Sequence, residues 1–67
     1  MNGRILFNAE TGRLTLNGDD LHCGDTLRVW IAGEWQHDRV EVDANDRWYL
    51  VGHPDIAPYG LTAKEEV

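Results

Sequence analysis

Serine is absent from this chain, cysteine occurs once, and lysine occurs once. No apolar run approaches the ~18 residues needed to span a bilayer. The start, MNGRILFN, lacks the longer apolar segment of a secretory leader. Without serine the commonest hydroxyl nucleophile is missing. With only Cys23 no intrachain disulfide can form, which points to a reducing, cytoplasmic setting. Proline occurs only as Pro54 and Pro58, so long regular structure is barred only between 53 and 60. No segment has the 3.6-residue apolar period of an amphipathic helix.

What is present is short and β-like. Sixty-seven residues make one domain, expected over 1–64 with 65–67 as a frayed tail. A chain of this size buries only about 60% of its unfolded surface. Its aromatic side chains, at roughly 150–250 Å² each, therefore carry much of the core. Arg4–Asn8 and Arg13–Asn17 alternate in polarity and read as a hairpin across Gly12. Residues 18–25 read as a loop crossing one end of a barrel, with Leu21 and Cys23 pointing inward. Thr26–Ala32 is the clearest strand, with Leu27, Val29 and Ile31 on one face and Arg28 and Trp30 on the other.

Gly33-Glu34 fits a two-residue type II′ turn. In Trp35–Asp43 the parity is broken, because Val40 and Val42 share a face with Asp38 whereas Trp35 opposes them. A bulge near His37-Asp38 would reconcile the two halves. Arg47–Gly52 is the next strand, Asp55–Ala57 fits a short 3₁₀ turn, and Leu61–Lys64 a last strand beside the first. The expected fold is a small all-β, SH3-like, partly open barrel of five or six short antiparallel strands.

Charge is uneven. Residues 1–18 balance at +1, whereas residues 19–67 carry eleven acids against Arg28, Arg39, Arg47 and Lys64. Such a balance disfavours direct binding to nucleic acid, which relies on Lys and Arg to neutralise phosphates, and favours a basic protein partner. Asp19, Asp20, Asp25, Glu34, Asp38, Glu41, Asp43 and Asp46 are the candidate acidic face. Carboxylates two apart on a strand, such as Glu41 and Asp43, lie about 6.5–7 Å apart, comparable with a row of phosphates. Trp30, Trp35 and Tyr49 are the alternative, an aromatic binding patch.

His22, Cys23, His37 and His53 are zinc-compatible types. Their only close pair is adjacent, and adjacent strand residues point to opposite faces, so no metal or other cofactor is expected. Cys23 reads instead as a small buried hydrophobe and His22 as a loop cap. No catalytic residue is expected.

At Leu21-His22-Cys23-Gly24-Asp25, Gly33-x-Trp35, Arg39-Val40-Glu41, Trp48-Tyr49-Leu50-Val51-Gly52 and Gly60-Leu61, the chain resembles a domain-of-unknown-function family. Its members are very short bacterial proteins, many from plasmids, phages and other mobile elements. The resemblance implies a single β domain with no known activity, and a mobile-element origin. With the charge, it leads to one expectation: a non-enzymatic, acidic, protein-binding module that occludes a basic nucleic-acid-binding surface, as an anti-CRISPR or anti-restriction inhibitor does. A generic SH3-like adaptor using exposed aromatics and a structural homodimer are the alternatives.

Overall fold

The computed structural model describes residues 2–66. Seven strands run β1 (Asn2–Asn8), β2 (Arg13–Leu16), β3 (Asp19–Asp20), β4 (Thr26–Ile31), β5 (Glu34–Val42), β6 (Trp48–Leu50) and β7 (Thr62–Glu65). All pair antiparallel in one open sheet of order β3-β2-β1-β7-β4-β5-β6. The all-β expectation holds, with two strands more than the lower estimate.

Alternation puts Ile5, Leu14, Leu16, Leu27, Val29, Val40, Trp48, Leu50 and Ala63 on the inward face, joined by Leu21 from the loop. Because β2 and β6 lie towards opposite ends of the strand order yet share this cluster, the sheet curls around it. The curl is fastened by a side chain rather than a ladder: Trp48 donates its indole N–H to the Gly12 carbonyl at 2.9 Å. A net gain of about 1 kcal/mol is typical of such a bond.

Several local expectations change. Asn17-Gly18 is a genuine hairpin turn, with φ of 54° and 85°, and it pairs Thr15 with Asp20 and Leu16 with Asp19. Two residues are too few for a periodic signal, so β3 reads as loop in the sequence. The chain then crosses the end of the sheet, where Gly24 donates to the Val40 carbonyl and Val40 to that of Asp25. Leu21 is buried there as expected, but Cys23 is exposed. The turn at Gly24, φ 91°, carries the thiol outward.

The β4–β5 turn is Ala32-Gly33, not Gly33-Glu34, with φ positive at both and Ile31 opposite Glu34. This is the type I′ pattern. A shift of one residue would invert every inward side chain of the hairpin, so the core decides the register against the preference of Ala32. No bulge interrupts β5, whose pairing runs without a break from Ile31–Glu34 to Thr26–Arg39. The broken parity is resolved by burying Asp38. Around 55–57 there is a hydrogen-bonded turn, Ile56 N–H to His53 carbonyl, and no 3₁₀ helix. At the C-terminus β7 extends through Glu65, which pairs with Leu27, so the frayed-tail expectation fails at Glu65; Val67 lies outside the described residues.

Candidate functional site

Asp38 is the one buried charged residue among the described residues, 4% exposed. Its Oδ1 accepts the N–H groups of Arg39 and Gly52, both at 2.8 Å, and its Oδ2 lies 2.7 Å from His53 Nδ1. An ionised carboxylate only accepts, so Nδ1 carries the proton. Burial alone pushes this carboxyl's pKa up. The His53 hydrogen bond, then those from Gly52 and Arg39 and the His53 charge, outweigh it and hold the pKa below its ordinary value. The cluster fastens the proline-containing segment after β6 onto β5. It consumes one of the eight sequence-selected acids.

Three more are engaged close to home. Glu41 lies 3.2 Å from Arg39 Nε on the outward face. Asp43 Oδ1 accepts the N–H groups of Asn45 and Arg47 and so builds the β5–β6 turn. Glu41 and Asp43 therefore do not form a free row. Asp25 Oδ2 accepts the His22 N–H at 2.8 Å. Glu34 flanks the β4–β5 turn, and Asp46 lies in the β5–β6 turn, where its N–H donates to the Asp43 carbonyl.

What does come together is a different acidic set. A cleft of about 390 Å³ opens between β3, the crossing loop, the start of β4 and the end of β7. Its rim carries Asp19, Asp20, Asp25, Glu65 and Glu66, its floor Leu16, Leu21 and Leu27, and no Lys or Arg lines it. Asp19, Asp20 and Glu65 have no ion-pair partner among the described residues. Glu66 reaches His37 Nδ1 at 2.7 Å and Arg28 Nε at 3.7 Å. Among the described residues no three His, Cys, Asp or Glu side chains are grouped so as to hold a metal ion. Sequence reasoning found the three aspartates of this cleft and missed both glutamates, having assigned them to a tail.

The comparisons with known proteins bear on the whole chain. The model of a domain of unknown function, DUF5348, matches residues 3–64. The chain belongs to the DUF5348 family. A solved structure, "Crystal Structure of protein from Ruminococcus gnavus, Northeast Structural Genomics Consortium Target UgR76", is similar at 31% identity and a TM-score of 0.81. The match covers 96% of this chain and 99% of that one. The search of curated proteins found no match.

In this DUF5348 chain the aromatic candidates divide. Trp30 and Trp35 face each other on the outer side of β4 and β5, ring centroids 5.2 Å apart and nearly perpendicular. Lys64 Nζ sits 4.3 Å from the Trp35 ring centroid. Tyr49 opposes Glu41 one strand further on and does not join the pair. A second cavity of about 420 Å³, beside Trp48, Gly12 and the exposed Cys23, has Arg13 and Asp46 both in its lining and so favours neither sign of ligand. Among the described residues no helix is long and apolar enough to cross a membrane.

Proposed function

We propose that this domain is a non-catalytic binding module that receives basic groups of a partner protein in the cleft between β3 and the end of β7. The supporting observation is the acidic rim: Asp19, Asp20, Asp25 and Glu65 surround an apolar floor with no Lys or Arg in the lining, while Glu66 is held by His37 and Arg28. Lys and Arg side chains lay their methylene stems on apolar surface while keeping the charged head solvated or paired. Leu16, Leu21 and Leu27 supply that surface, and the rim supplies the counter-charge. Clustered like charge also raises the rate of encounter with a basic partner. In its narrower form the partner is a nucleic-acid-binding effector whose basic surface the cleft occludes, in a cytoplasmic setting that suits the lone thiol.

The test is titration with a fluorescent Lys/Arg-rich peptide. Asp19→Asn/Asp20→Asn/Glu65→Gln should weaken binding at least tenfold, because three unpaired carboxylates are neutralised without touching the core. Glu34→Gln, at the far turn, should leave affinity within about twofold. Equal loss in both variants, or binding indifferent to salt, would remove the cleft from consideration.

A further inference from the structure

Strand parity places a second charged surface on the opposite side of the sheet. Facing outward are Arg4 on β1, Lys64 on β7, Arg28 and Trp30 on β4, and Trp35, His37 and Arg39 on β5. The register lines some of them up: Lys64 is opposite Arg28, Arg28 is opposite His37, and Trp30 is opposite Trp35. Four of the chain's six Lys and Arg residues are therefore on this face, against Glu41 and Glu66. Neither Arg4 nor Lys64 has an ion-pair partner among the described residues. In their midst Trp30 is 45% exposed, an uncommon place for so large an apolar ring.

We infer that the outer face of β1, β7, β4 and β5 binds single-stranded nucleic acid, with Trp30 as the stacking platform and Arg4, Arg28 and Lys64 as phosphate contacts. Binders of single strands combine a cationic track with aromatic rings on which bases stack. This face has both. Neighbouring strands lie about 4.8 Å apart across the sheet and residues two apart roughly 7 Å along it, so the backbone carries these side chains on a mesh over which an extended phosphate backbone can lie. An acidic polypeptide would use the cations and leave Trp30 uncovered. A second copy docking the same face by two-fold symmetry would bring cation rows against each other. The chain's overall negative charge does not decide the matter, since exposed charges more than about 8 Å apart are largely screened at physiological salt.

The experiment is fluorescence anisotropy of a labelled oligothymidylate of about 12 nucleotides, with the intact protein. Three phosphate contacts on a single strand give a log–log salt slope near −2, or about a twentyfold loss between roughly 50 and 200 mM salt. Trp30→Ala should weaken binding by roughly five- to hundredfold, with Trp30→Phe recovering part of it. Arg4→Gln/Arg28→Gln should flatten the salt slope by about 1.4 and covers the case in which Trp30→Ala does not fold. Asp19→Asn/Asp20→Asn, on the other side of the sheet, should not weaken it. Absence of binding at low salt, or affinity unchanged in both the Trp30 and the arginine variants, overturns the inference. Equal competition by polyglutamate also overturns it and assigns the face to an acidic polypeptide. These outcomes leave the cleft reading standing, since its own test rests on Asp19, Asp20 and Glu65.

Discussion

Removing the Asp38 carboxylate should come close to unfolding the domain. In Asp38→Ala the N–H groups of Arg39 and Gly52 lose an acceptor at 2.8 Å, and His53 Nδ1 loses one at 2.7 Å. Hydrogen bonds to a charged group contribute about 1.5–3 kcal/mol each. They are not additive within one cluster, and breaking a buried charged pair costs about 3–5 kcal/mol in all. A chain of 67 residues has, at about 0.05–0.15 kcal/mol per residue, a total stability of roughly 3–10 kcal/mol. Asp38→Ala should thus consume a third or more of it. Asp38→Asn keeps an oxygen for the two amides and loses the ionic contact, so its cost should be about 1–2 kcal/mol.

Urea unfolding followed by tryptophan fluorescence reads these differences directly, since Trp48 is 4% exposed in the folded state. With a slope near 1 kcal/mol/M, Asp38→Ala should move the midpoint down by about 3 M or leave no folded baseline. His53→Ala should cost less, and the double variant should show a coupling of about 1 kcal/mol or more. An Asp38→Ala midpoint within about 1 M of the parent, or strict additivity with His53→Ala, would refute the account.

The same cluster sets a pH dependence. The folded-state pKa of Asp38 is lowered from 3.8, so its stabilisation is complete above that value and disappears as pH falls through the lower folded one. The acid limb of the stability profile should be shallower in Asp38→Asn than in the parent. Trp48→Phe keeps the ring buried but deletes the bond to Gly12, and should lower stability by about 1–2 kcal/mol, or roughly 5–10 °C in thermal midpoint. Ala32→Asn should raise stability by about 0.5–1 kcal/mol, because Ala32 sits at φ 55° in a type I′ turn where Asn is at ease. A Cβ on Gly52 would lie 3.1 Å from Asp38 Oδ2. Gly52→Ala should therefore cost about 1–3 kcal/mol in the same urea assay.

The strands that are legible in the sequence are those whose inward positions are all apolar. Leu27 and Val29 announce β4, and Leu14 and Leu16 announce β2. Legibility fails where tertiary partners override local preference. Asp38 on an inward position looks like a phase error until His53 and Gly52 are seen to meet it. Ala32 accepts a left-handed φ because the core fixes the hairpin register. The site suffers most from this. Asp19, Asp20 and Asp25 are close in sequence, but Glu65 and Glu66 reach them only because β7 inserts between β1 and β4. No local pattern encodes that insertion.

The same insertion explains why summed charge misdirects. Outward positions of β7 and β4 carry Lys64 and Arg28, while Glu65 at the end of β7 lines the cleft beside β3 and Glu66 reaches back to Arg28 and His37. One short strand thus feeds opposite signs to two surfaces of a body whose extents are 29 × 24 × 19 Å. Those extents exceed the ~8 Å screening length of physiological salt, so each surface presents mainly its own field to a partner. The total of −6 is a sum over the whole chain and hides the contrast between an acidic cleft and a cationic, tryptophan-bearing face. Partners should be sought for each separately, at salt low enough for both fields to act.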